Sequence, residues 1–255
     1  LSATPGAGEG LPAVWLTGEP GMGKTRLAQE AANRRGPHLW VQALAGDADQ
    51  PYATMARALR GRLGPALALP VWVRQELARL LPEGAGGGVA AGHGASAAPV
   101  GTADARRLQE AVARAWQALC PVGLQAVVLD DWHLADAATQ ALWLPGSPLG
   151  PLLQAVQVIV TARAAELPPL LYEALQRGRH AGACRLIELP ALDADETRTL
   201  VHAVTGRTLP ADLMQRLHTA TGGNPFFLQE TVSQLDLAGA HDPASGLALP
   251  PTVRD

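Results

Sequence analysis

Residues 13–25 read AVWLTGEPGMGKT, an apolar run of strand character that passes straight into a glycine-punctuated octet, Gly18 to Thr25. The octet has the spacing GxxxxGK[ST] and opens a helical pattern, KTRLAQEAANRR. Gly18, Gly21 and Gly23 let the backbone turn tightly and come close to a ligand. N–H groups of such a loop wrap phosphate oxygens, and the start of the following helix adds positive potential. On this reading Lys24 reaches the terminal phosphates and the Thr25 hydroxyl holds Mg2+. Glu19, Pro20, Met22 and Arg26 complete the cradle. Lys24 is also the only lysine among 20 Lys+Arg. A compact ammonium on a thin stem fits under a phosphate where a planar guanidinium does not.

Working outward, a chain of 255 residues, 47% hydrophobic and 17% charged, can bury a full core as one large domain or a domain with a satellite. A formal charge of -3 offers no basic footprint, which argues against direct nucleic-acid binding by this segment and against an anionic membrane surface. Cys120 and Cys184 have no CxxC or Cys/His ligand spacing and read as reduced thiols. With no apolar run of membrane length and no leader-like start, they point to the cytoplasm. The opening LSATPGAGEG, without an initiator Met, and the closing LPPTVRD suggest a piece of a longer protein, whose other domains would be its partners.

Short apolar runs alternate with helical patterns, which predicts a parallel sheet covered on both faces. Strands are expected at 13–17, 39–44, 125–130, 156–161 and 185–189. Between them come helices: one at 24–35, one with Tyr52, Met55, Leu59 and Leu63 on one face, and one at 70–82. A helix from about Thr102 has Leu108, Val112, Ala115, Trp116 and Leu119 on its buried face. A helical region at 136–153 is interrupted by LPGSPLGP, and another helix spans 167–178. Residues 84–101, GAGGGVAAGHGASAAPVG, contain nothing large enough to hold a core and read as a flexible surface loop. From Asp193 only helices remain. DADE, Asp193 to Glu196, has capping-box spacing for a helix carrying Leu200, Val201 and Val204. Helices on Leu213, Met214 and Leu217 and on 226–235 follow. The expected organisation is a nucleotide-binding domain over 1–190 and a helical lid over 191–255.

AVVLDDWHLAD, 126–136, puts Asp130 at the carboxyl end of a buried strand, where a carboxylate can hold Mg2+, and Asp131 beside it to orient a water. Asp-Asp could also simply end a strand. Asp136 reads as a helix N-cap before a catalytic group, and His133 as a packing or hydrogen-bonding residue before a chemical one.

In order and spacing, GEPGMGKTRL, VVLDDWHLAD, VIVTAR (158–163) and GGNPFFLQE (222–230) resemble the nucleotide-binding region of STAND signal-transduction ATPases. The match is to the branch found in large bacterial transcriptional regulators of the maltose-activator (LuxR-type) and antibiotic-regulator kinds and in some nucleotide cyclases, a core related to Orc/Cdc6-like AAA+ ATPases. The resemblance spans nearly the whole chain. It implies an α/β P-loop NTPase with a five-stranded parallel sheet and a C-terminal helical lid, binding ATP or ADP with Mg2+ as a switch, with nucleotide-dependent self-association. Thr161 and Arg163 match the sensor position, where Arg163 would feel the γ-phosphate; a strand-end surface arginine is the bland alternative. Gly223, Asn224 and Pro225 match the motif that touches the nucleotide base, although Asn as N-cap and Pro at the first helical position need no ligand. Many relatives carry glutamate where Asp131 stands, and a carboxylate shorter by roughly 1.5 Å of reach predicts slow hydrolysis. The relatives carry a GRE-like segment before the first strand and a winged helix after the lid; the expectation here is a piece without either, which would hold nucleotide more weakly than its parent. An Orc/Cdc6-like DNA-handling ATPase and a small-molecule kinase are the rival readings; no basic patch favours the first, and DDxHxAD with the GNP helix disfavours the second.

Overall fold

A computed structural model describes residues 12–60, 62–63, 67–81, 102–144 and 146–237. The tract 84–101, read from sequence as a loop, lies outside the described residues. The described residues fall into two compact units, the chain passing from one to the other between Leu16 and Thr17, between Arg26 and Leu27, and between Ile187 and Glu188.

The first unit is built on a five-stranded parallel sheet. Its strands are β1 (Ala13–Thr17), β2 (His38–Gln42), β3 (Ala126–Asp130), β4 (Gln157–Ala162) and β5 (Cys184–Glu188), in the order β2-β3-β4-β1-β5. β3 and β4 are buried along their whole length, as strands covered on both faces must be. Their side chains divide by alternation. Val127, Leu129, Val158 and Val160 join a large cluster with Met55, Val112 and Trp116, while Val128 and Ile159 face Ala28 and Ala32. Those two alanines lie on α1 (Lys24–Arg35). The large cluster is supplied by α2 (Ala53–Leu59), α3 (Val71–Leu80) and α4 (Thr102–Leu119). In it the Trp116 indole N–H donates to Met55 Sδ, and Trp143 meets the rings of Trp116 and Trp132 edge-on at 5.9 and 6.1 Å. Cys120 and Cys184 are free, half-buried thiols, and burial pushes both above the ordinary thiol value.

Several local expectations shift. The second strand ends at Gln42, and Leu44 is exposed. Tyr52 precedes α2 in a left-handed conformation (φ 63°), because its N–H donates 2.7 Å to Asp136 Oδ1 instead of entering the helix. The 136–153 region divides into α5 (Ala137–Leu142) and α6 (Gly150–Ala155), and Gly146 at φ 84° lies between them. α7 (Pro169–His180) then leads to β5.

The second unit carries α8 (Ala194–Thr205), α9 (Ala211–Thr221) and α10 (Pro225–Leu237) around Val201, Met214, Leu217, Leu228 and Val232. The capping box at α8 is present: Asp193 Oδ1 accepts from Glu196 N at 2.8 Å, and Glu196 Oε2 accepts from Asp193 N at 2.9 Å. Its buried face is narrower than the apolar spacing implies. Val201 is buried in this small core and Val204 is exposed.

Candidate functional site

In the helical unit the octet forms a loop whose three glycines have positive φ: 150° at Gly18, 80° at Gly21 and 82° at Gly23. Gly18 lies against Leu189, where a Cβ would come within 2.9 Å of the Leu189 carbonyl oxygen. Gly21 lies against Asn224 and Phe226, and an added Cβ would sit 2.6 Å from Asn224 Oδ1. Lys24 is buried, and its Nζ donates to the Gly18 and Glu19 carbonyls at 3.0 and 2.9 Å. α1 begins at Lys24 with no acidic residue in its first turn, so nothing there offsets the positive end of the helix. Thr25 and Arg26 are exposed. A glycine cradle, a buried ammonium and an open helix start are the donor set a phosphate chain needs. Among the described residues no three His, Cys, Asp or Glu side chains cluster as a metal site.

The turn before α10 joins this loop. Asn224 Oδ1 accepts from the Phe226 and Phe227 amides at 3.0 and 3.4 Å, and Pro225 takes the first helical position. Asn224 Nδ2 donates to the Pro20 carbonyl at 2.9 Å. Gly223 is needed where it stands, since a Cβ would lie 2.2 Å from the Leu192 carbonyl oxygen.

In the α/β unit, Asp130 and Asp131 close β3. Asp130 is fully buried, and Thr161 of β4 donates its hydroxyl to Asp130 Oδ1 at 2.7 Å. The same hydroxyl accepts from the Asp131 amide at 2.8 Å. One threonine thus fixes both carboxylate-bearing residues, Asp131 in a left-handed conformation (φ 51°) that Asp tolerates better than most residues. Arg163 follows β4; its amide donates to His133 Nδ1 at 3.4 Å and its Nη1 to Glu166 Oε1 at 2.8 Å. Glu166 Oε2 is 3.4 Å from His133 Nε2, so the carboxylate bridges both. Accepting at Nδ1 puts the ring proton on Nε2, facing Glu166. Sequence reasoning missed Glu166, although its i,i+3 spacing from Arg163 was a signal.

Asp136 is the N-cap of α5, accepting from Thr139 N at 2.8 Å, and it also accepts from Tyr52 N and Thr54 N at 2.7 and 3.3 Å. Sequence-predicted residues therefore fall into two groups. Gly18 through Arg26, Asn224 and Pro225 belong to the helical unit; Asp130, Asp131 and Arg163 belong to the α/β unit.

Strand, glycine loop and helix in series, with an acidic pair ending a buried parallel strand, define a P-loop ATPase. The chain belongs to the AAA ATPase domain family, whose pattern it matches over residues 2–146. No curated protein matches it. Among solved structures it is similar to an Aeropyrum pernix Orc2 protein in ADPNP–ADP complexes (TM-score 0.49, 16% identity, 92% of this chain and 59% of that one). It is similar also to a Thermotoga maritima RuvB mutant (TM-score 0.47, 14% identity, 91% and 58%). A third likeness is to a Pyrococcus horikoshii STAND protein with a tetratricopeptide-repeat sensor (TM-score 0.43, 17% identity, 86% and 27%). The chain spans less than two thirds of each of these proteins. No helix among the described residues is long and apolar enough to cross a membrane.

Proposed function

We propose that this domain is a slowly hydrolysing ATP/ADP switch within a larger bacterial signal-transduction or transcriptional regulator of the STAND class, working in the cytoplasm. The observation that carries the proposal is the loop from Gly18 to Thr25: three glycines of positive φ around a buried Lys24, opening a helix without acidic residues in its first turn. Lys24 holds the terminal phosphates, and the Thr25 hydroxyl and Asp130 hold Mg2+. The bound metal ion supplies charge neutralisation along the phosphate chain. Asp131 orients the attacking water; Arg163 senses the γ-phosphate; Pro225 lies by the base. Binding of the triphosphate would favour one placement of the helical unit, with nucleotide-dependent self-association as one readout. Support for slowness comes from Asp131, which reaches less far than a glutamate would.

Thermal melting with Mg2+ and nucleotide tests the reading. ATP and ADP should raise the melting temperature by mass action, while Lys24→Ala leaves the unliganded protein folded and removes the shift. Equal shifts in both proteins would refute the loop assignment. Single-turnover hydrolysis should fall in Asp131→Asn with ATP binding retained; undiminished hydrolysis would remove Asp131 from the chemistry.

A further inference from the structure

Asn224 uses both ends of its carboxamide and is 7% exposed. Oδ1 caps α10 through the Phe226 and Phe227 amides, and Nδ2 donates to the Pro20 carbonyl. Only this orientation sets an acceptor against two N–H groups and a donor against a carbonyl. The Phe226 N–H also lies 3.3 Å from the Gly21 carbonyl oxygen. Two consecutive loop carbonyls, 20 and 21, are therefore held by the turn that starts α10. In a trans peptide the C=O and the next N–H point in opposite directions. Holding those two carbonyls toward α10 turns the N–H groups of Gly21 and Met22 away from it, and Met22 N reaches Glu19 O at 3.4 Å across the loop. N–H direction is what such a loop offers a phosphate.

We propose that Asn224 is a positioning residue for phosphate binding, acting through the Pro20–Gly21 backbone and not through the nucleotide base. The inference rests on the P-loop reading above. Gly21 fits it independently: at φ 80° a Cβ would meet Asn224 Oδ1 at 2.6 Å and Phe226 Cβ at 2.9 Å, so the loop can lie on this turn only without a side chain there.

Asn224→Ser separates the two roles, because serine caps a helix as well as asparagine but has no amide to reach Pro20. The unliganded melting temperature should stay near that of the unsubstituted chain. Affinity for Mg·ATP, Mg·ADP and Mg·tripolyphosphate, measured by calorimetric titration, should fall alike, by about tenfold. Amide exchange at Gly21 and Met22 should quicken without ligand. Undiminished affinity for all three would overturn the proposal, as would a loss for ATP and ADP that spares tripolyphosphate, the signature of a base contact. Should the serine chain not fold, Asn224→Asp, which keeps the cap acceptor, is read by the same three titrations. If the unsubstituted chain binds none of the three, or Lys24→Ala binds them equally well, the P-loop reading itself fails and the inference with it.

Discussion

Replacing Thr161 by valine would remove one hydroxyl and nothing else of comparable size, at the point where β4 holds the acidic pair. The hydroxyl makes two bonds, 2.7 Å to Asp130 Oδ1 and 2.8 Å from the Asp131 amide. Thr161 and Asp130 are both fully buried. A hydrogen bond to a charged group is worth about 1.5–3 kcal/mol and a neutral one about 1 kcal/mol, and water cannot enter a close-packed interior to replace them. Valine's better fit to a buried strand returns less than about 1 kcal/mol. The net destabilisation expected for Thr161→Val is therefore about 2–3 kcal/mol, a large fraction of an ordinary domain's stability. Thr161→Ser supplies the contrast. It keeps the hydroxyl and loses one methyl, about 1 kcal/mol. Urea unfolding followed by tryptophan fluorescence would rank the two, since the buried Trp132 lies next to the pair in sequence. ATP hydrolysis should drop in the valine variant more than ATP binding does, because Asp131 loses the bond that holds its left-handed backbone. A valine variant as stable as the serine variant would refute the reasoning: the hydroxyl would then be dispensable and the methyl the part that matters.

Two further outcomes follow from buried carboxylates. Asp136→Ala leaves the amides of Tyr52, Thr54 and Thr139 without their acceptor and should cost about 3–5 kcal/mol in urea melts, whereas Asp136→Asn keeps Oδ1 and should cost about 1–2 kcal/mol with ATP affinity retained. A loss of affinity in the asparagine variant would make Asp136 more than a cap. At Asp47, burial would by itself raise the carboxyl, but bonds from Arg57, the Leu44 amide and Thr54 outweigh it and hold the group below 3.8. Its stabilisation is accordingly complete above the unfolded value near 3.8 and is lost as pH falls through the lower folded value. Arg57→Gln should move the acid-unfolding midpoint to higher pH, and an unmoved midpoint would show that the ion pair is not what links stability to pH here.

Much of this was legible in the sequence because it is local. Period and punctuation disclosed the strands, the glycine loop and the DADE cap, each of which is decided within a few residues. Contacts made across the chain carried no local signal. Asp136 serves as N-cap of its own helix, as its position suggested, but its bonds to Tyr52 and Thr54 span 84 and 82 residues. The Asn224 bond to Pro20 spans 204 residues. Tyr52 looked like the first turn of a helix by spacing and is instead drawn into a left-handed bend by that distant carboxylate. Strand order was equally hidden. Apolar runs mark β1, β3 and β4 as buried, yet nothing in them says that β4 lies between the other two, the placement that brings the Thr161 hydroxyl to Asp130 and Asp131.

The single lysine also takes on a physical sense. Arg57 shows what a guanidinium does well: it holds both oxygens of Asp47 at 2.6 Å and the Gln42 carbonyl at 2.6 Å, a planar fork matched to fixed acceptors. Lys24 meets acceptors of another kind. Buried inside a loop of small radius, its Nζ donates to the carbonyls of Gly18 and Glu19, two residues of the same loop that would enclose a phosphate. An ammonium's three donors rotate about a thin stem, so bonds to carbonyl oxygens can be exchanged for bonds to phosphate oxygens without moving the loop. A planar guanidinium lacks that freedom of rotation, and the loop that would have to adjust around it is closely backed: an added Cβ would come within 2.9 Å of Leu189 O at Gly18 and within 2.6 Å of Asn224 Oδ1 at Gly21. A chain whose other 19 Lys+Arg positions are all arginine keeps lysine at the one place where a rotating, compact donor suits the acceptors.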